Sequence, residues 1–291
     1  MVFGVFMVFQ STMLIGLWLN IIFYAKLVDV VISITLAMKI KRLSSYILSR
    51  LFFLAYTGWS VFIASDAVLF EIAMLSPAFF VMANILRDIS IVMICLVPVC
   101  FIIGVFVIKE GEEIAIEKKK GRLISLFLMS LIITTGILLN DKIVVYDITV
   151  NPIVPFGIDE LPPLPGTYLV NFDQSTGFPL VFYLIFVAWY VTGTMLMFSI
   201  QHRESGIKKM RARRIMWGIL MIPAGIVYFV ILGYLFPDTG SLELRGILTV
   251  LGHVLWNLSP TLIFLGLRMK EKENDTSNTS NDAPETDPGI F

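Results

Sequence analysis

Long apolar runs separated by short polar stretches dominate this chain. A bilayer core about 30 Å thick needs about 20 mostly apolar residues in a helix, because lipid offers no partner for an unpaired backbone amide or carbonyl. Seven runs reach that length, approximately Thr12 to Met38, Leu51 to Met74, Pro77 to Ile108, Leu123 to Leu139, Leu180 to Ile200, Ile215 to Phe236 and Gly246 to Leu267. They predict an all-α integral membrane protein built as a seven-transmembrane helix bundle. Met1 to Met38 is too long for one span but has no Gly or Pro turn near its middle, so one long helix is the simpler reading. A break there would create an eighth span and place the N-terminus inside. Met1 to Tyr24 lack the basic start and small-residue cleavage pattern of a signal peptide and are expected to stay in the mature chain.

The polar stretches are unequal. The longest, Asn140 to Pro179, falls between the fourth and fifth runs and carries Pro152, Pro155, Pro162, Pro163 and Pro165. Its β-branched and aromatic segments, Ile143 to Val150 and Thr167 to Phe172, predict a short β-hairpin over the end of the bundle. Asp141, Asp147, Asp159, Glu160 and Asp173 face Lys142 alone, which suits either a solvated cap or a ligand-binding lid. After the last run, Glu271 to Phe291 is rich in Asn, Asp, Thr, Ser and Pro. Such a segment buries too little to offset the entropy of ordering, so the reading is a membrane domain over 1–268 and a disordered cytoplasmic tail over 269–291.

Composition agrees with this picture. Hydrophobic residues make up 57% of the chain and charged residues 15%, with a mean hydropathy of +0.85, whereas soluble domains carry roughly 25% charged residues. A net charge of zero hides strong clustering of the bases. Four Lys/Arg lie between Lys39 and Arg50, five between Lys109 and Arg122, six between Arg203 and Arg214, and three more at Arg268, Lys270 and Lys272. On the opposite side stand only Lys142 and Arg245. The positive-inside rule then puts the basic loops and the C-terminus in the cytoplasm and the N-terminus outside, in a multi-pass cell-membrane protein. The clustering reads as topology, with the bilayer as partner and no nucleic acid. Cys95 and Cys100, five apart on one helix, point to different faces and cannot bridge to each other.

Ionisable groups inside a membrane are costly, so function is sought first among them. At about 1.5 Å per residue, Lys26, Asp29, Asp66, Arg87, Asp88, His253 and Asn257 all fall near mid-membrane. Two bases against three acids invite pairing, with Arg87 to Asp66 or Asp29 the expected contact. Three roles fit: an ion-pair network that fixes helix register, a ligand or ion pocket, or a proton relay through Asp66 and His253. Pro260, three residues after Asn257, removes a helix bond to the Trp256 carbonyl; Pro260 and Pro223 are candidate hinges, with plain packing as the alternative.

Several chemistries are missing from the sequence. It has no His-Glu-x-x-His, no Gly-x-Ser-x-Gly, no glycine-rich phosphate loop, and no Cys or His cluster with metal spacing. No lysine lies between Gly246 and Leu267 to carry a retinal Schiff base. An enzyme, a cofactor and a metal centre are therefore not expected.

Three stretches carry a family resemblance: Ser49-Arg-Leu-Phe-Phe-Leu-Ala-Tyr-Thr-Gly-Trp-Ser60, Ala83-Asn-Ile-Leu-Arg-Asp-Ile89, and Arg211-Ala-Arg-Arg-Ile-Met-Trp-Gly-Ile-Leu-Met-Ile-Pro223. Together with the long loop after the fourth run, they resemble the seven-helix membrane input region at the N-terminus of many sensor histidine kinases, over roughly residues 12 to 268. The resemblance implies a module that senses something in or outside the membrane and passes a conformational change to a cytoplasmic transmitter. No kinase pattern or phosphoacceptor His follows Leu267, so the expected output runs through a separate signalling protein docking on Lys208, Lys209, Arg211, Arg213 and Arg214. The expected function is a receptor-like sensor for an unknown small ligand. The alternatives are a small solute, ion or proton transporter using the mid-membrane charges, and a purely structural subunit.

Overall fold

The computed structural model describes residues 2–43, 46–75, 80–140, 142–147, 168–173, 178–235 and 242–277. Their order is α1 (Val2–Leu43), α2 (Ile47–Leu75), α3 (Phe80–Glu110), a π-helical turn (Glu113–Lys118), α4 (Lys120–Asn140), β1 (Lys142–Asp147), β2 (Tyr168–Asp173), α5 (Phe178–Arg203), α6 (Gly206–Leu235) and α7 (Leu242–Ser277). The first apolar run is one helix of 42 residues. Six helices contain stretches long and apolar enough to cross a bilayer: Ile47–Leu69, Val81–Glu110, Lys120–Leu139, Leu184–Arg203, Gly206–Phe229 and Ile247–Met269. The architecture is that of a helical, multi-pass membrane protein. The sequence pattern led us to expect seven such stretches; the search of the described residues finds these six, and none of them lies in α1.

The helices form a closed circuit. α1 packs on α2, α2 on α3, α3 on α5, α5 on α6, α6 on α7, and α7 back on α1, while α4 sits outside against α3 and α5. Burial follows this arrangement: 72% of the spanning stretch of α3 is buried, against 17% for α4. The exposed side of α4 carries Leu128, Leu131, Ile132 and Leu139, a surface suited to acyl chains. Lipid tails are as apolar as leucine, so these helices are held by close packing and interhelical hydrogen bonds rather than by escape from water. At the centre, the Phe101 ring lies 5.7 Å from Phe52, 5.6 Å from Tyr56 and 5.8 Å from Tyr190, joining α2, α3 and α5. α6 and α7 approach closely at Gly218, where a Cβ would come 3.0 Å from the Ser259 carbonyl oxygen.

β1 and β2 are antiparallel, with Lys142 opposite Asp173 and Val145 opposite Val170. β1 is described as far as Asp147; the expected end at Val150 and the residues that would close a hairpin lie outside those described. At the far end, α7 continues past residue 269 to Ser277, because Glu271, Lys272 and Glu273 are good helix formers. The rest of the expected tail lies outside the described residues.

The α3–α4 elbow is tightly built. Gly111 adopts φ 85°, a conformation that suits a residue without Cβ, and its N–H donates to the Val107 carbonyl at 2.9 Å to end α3. The Glu110 carboxylate accepts both Arg122 Nη1 (3.0 Å) and Nη2 (2.7 Å), plus Lys119 Nζ at 2.9 Å. Arg122 in turn lies 3.7 Å over the Phe106 ring. Beside it, exposed Glu113 and Lys118 pair at 2.9 Å; the pair lowers the Glu113 pKa and raises that of Lys118.

Candidate functional site

One face of α1 is the natural starting point. Asp29, Ser33, Ala37 and Ile40, spaced by four, four and three residues, are all buried, so this seam turns inward. Opposite Asp29 lies α7, where His253 and Asn257 are one turn apart and share a face. His253 Nδ1 bonds Asp29 Oδ2, and Asn257 Nδ2 donates to Asp29 Oδ1. Both oxygens of a carboxylate only 1% exposed are thereby engaged, and the first helix is tied to the last. Aromatic rings close the site. Phe229 and Trp256 stand 5.6 Å and 5.3 Å from the imidazole, and Trp256 also meets Trp59 at 5.0 Å and Phe229 at 4.5 Å.

A second cluster begins one turn earlier on α1. Lys26 Nζ donates to Asp66 Oδ2 at 2.7 Å, and Arg87 Nη1 stands 4.0 Å from Asp66 Oδ1. One carboxylate thus lies between two cations from different helices, all three side chains mostly shielded. Removing it would leave like charges facing each other at low dielectric.

The expected residues are partly brought together. Arg87 meets Asp66, as one of the two expected pairings requires, whereas Asp29 binds His253 and Asn257 instead of Arg87. The proposed relay partner of His253 was Asp66; its bonded carboxylate is Asp29. Asp88 is exposed, whereas Asp29, Arg87 and His253 are buried. The reason is common to these differences: sequence position gives depth along a helix axis, while the direction a residue faces around that axis depends on packing.

Pro260 and Pro223 are buried inside helices that run through them. The Asn257 amide is given to Asp29 and not to the carbonyl freed by Pro260, and Thr261 Oγ1 donates to the Asn257 carbonyl at 2.9 Å. Ser259, beside the proline, binds in another direction. Its Oγ donates to the Gly218 carbonyl at 2.7 Å, so the 2.8 Å contact with Tyr56 is one in which the phenol donates to Ser259 Oγ. That chain of hydroxyls joins α2, α7 and α6. Sequence reasoning missed Tyr56, Ser259 and Trp256, because single hydroxyls and aromatics are common in membrane helices; only the position of Ser259 next to Pro260 was a usable hint.

At the start of α6, Lys208, Lys209 and Arg213 are exposed, while Arg211 and Arg214 are half-buried. The last two lie close to α7, since a Cβ on Gly266 would come 3.3 Å from the Arg211 carbonyl oxygen and 3.4 Å from Arg214 Cβ. The basic face open to a partner is therefore narrower than the five residues expected. Bases in the first turns of α6 also oppose the helix dipole. Among the described residues, no group of three His, Cys, Asp or Glu side chains is placed to hold a metal ion.

The chain matches no model of a known protein family, and no characterised protein matches it.

Proposed function

We propose that this protein is a receptor-like sensor in which all seven helices span the membrane, with the N-terminus outside and the C-terminus in the cytoplasm. It signals through a separate cytoplasmic protein. One observation carries the reading: a buried carboxylate on the first helix is held by His253 and Asn257 of the last helix, just before Pro260. A ligand that changes this hold biases how α7 packs, with Pro260 and Pro223 as hinges, and the inner end of α7 lies against the basic start of α6. The outer loop, including β1 and β2, serves as the lid through which a small ligand enters. The partner docks on Lys208, Lys209 and Arg213, with Arg211 and Arg214 supporting that face. Replacing the three exposed bases with Ala is expected to abolish co-purification of the partner while the protein stays in the membrane; unchanged co-purification refutes the docking face. Cysteine-accessibility labelling at each terminus checks the orientation and the seventh span.

A second reading has its own support in the Lys26–Asp66–Arg87 cluster, three shielded charges on three helices. In a transporter they would line the pathway. Reconstituted liposomes that show ion or proton flux, lost in Asp66→Asn, favour transport over sensing; absence of flux favours the sensor.

A further inference from the structure

We infer that Asp29, Ser33 and Asn257 form a binding site for one monovalent alkali cation. The Asp29 carboxylate is 1% exposed, and neither of the groups bonded to it carries a permanent positive charge. Two further oxygens, one a helical turn along α1 and one on the amide that touches Asp29, are buried and unpartnered. Ser33 Oγ, on a residue 1% exposed and one turn along the same buried seam, has no hydrogen-bond partner. Asn257 Oδ1 has none either, although the same amide touches Asp29 through Nδ2. Buried oxygens without partners are rare and call for a water or an ion.

The Asn257 amide supplies two states. As described, Nδ2 faces the carboxylate and donates to it. Turned over and drawn back to another rotamer, the amide would present Oδ1 toward Asp29 across a gap, and two facing oxygens repel unless a proton or a cation lies between them. The site then offers an ion the Asp29 carboxylate, the Asn257 carbonyl and the Ser33 hydroxyl. A single carboxylate matches a single positive charge, while divalent ions of the calcium type take six to eight oxygens with several carboxylates among them. His253 keeps the second carboxylate oxygen in either state. The cation and the amide hydrogen bond thus compete for one position, coupling ion occupancy to the contact between the first and last helices. This holds for sensor and transporter alike, because it concerns equilibrium binding alone.

The purified full chain in lipid nanodiscs provides the test, with its unfolding temperature followed as NaCl replaces choline chloride at constant ionic strength. A saturable rise with Na+ is expected, absent in Asp29→Asn and retained in Glu110→Gln. Ser33→Ala should raise the half-saturating Na+ concentration about fivefold, the equivalent of one lost neutral contact. Equal unfolding temperatures in Na+ and choline would mean a bound water only and overturn the site, as would an undiminished response in Asp29→Asn. If Asp29→Asn does not fold, Ser33→Ala decides: an unchanged half-saturating concentration overturns the proposal.

Discussion

Gly218→Ala tests how tightly α6 and α7 are packed. A Cβ at this position would lie 2.5 Å from Ile263 Cγ1 and 3.0 Å from the Ser259 carbonyl oxygen. Ile263 and Ser259 are both fully buried, and one of the two obstacles is backbone, so the helices themselves must separate. Forcing a methyl into a packed core costs about 1–3 kcal/mol. Separation also stretches the 2.7 Å bond from Ser259 Oγ to the Gly218 carbonyl, and side-chain hydrogen bonds of this kind average about 0.6 kcal/mol in a membrane protein. Against this, Ala is favoured over Gly within a helix by up to about 1 kcal/mol. The net expectation is a destabilisation of about 0.5–2.5 kcal/mol, dominated by the overpacking cost. Gly121→Ala is the matched control, since a Cβ there meets nothing within 4 Å, and it should leave stability unchanged or slightly raised. Unfolding by SDS titration in mixed micelles, followed by tryptophan fluorescence, gives both values. A Gly218→Ala protein as stable as Gly121→Ala would refute the close approach of α6 and α7.

Three further outcomes follow from the same contacts. Tyr56→Phe and Ser259→Ala, each costing about 0.6 kcal/mol and at most about 1.7, should couple in a double-mutant cycle because the phenol donates to that hydroxyl; strict additivity would break the assignment. Asp66→Asn should destabilise more than Lys26→Met, since the first leaves Lys26 and Arg87 facing each other while the second leaves Asp66 with Arg87; the reverse order in the same SDS titration would contradict the cluster. Glu110→Gln loosens the half-exposed clamp on Arg122 and Lys119, and a loss of no more than about 1 kcal/mol is expected, together with faster proteolysis between α3 and α4; unaltered cleavage would show the elbow is held by other contacts.

The helices could be read from the sequence because lipid demands runs of about 20 apolar residues, and their ends follow where Lys and Arg collect. What could not be read was which side of each helix faces inward. In a soluble bundle the apolar stripe answers that, but here Leu131 and Ile132 point outward while Ile133 and Ile137 of the same helix are buried. Hydrophobicity does not separate the two faces. The same blindness left Asp66 and Asp29 as equal candidates for Arg87, whereas the Asp29 carboxylate turns toward His253. The elbow at Glu110 was legible only as part of a charge run, since a π-helical turn resets the register between Glu110 and Arg122.

The direct contact of α1 with α7 also constrains how the protein is made. His253 is separated from Asp29 by 224 positions, so at about 5–20 residues per second the ribosome needs roughly 10–45 s to supply the partner of that carboxylate. Throughout that interval α1 waits with an unmatched acid. With α1 spanning the membrane as proposed above, its insertion is provisional, sheltered by the insertion machinery or left near the membrane surface until the last helix arrives, and the circuit closes as the final step of biogenesis.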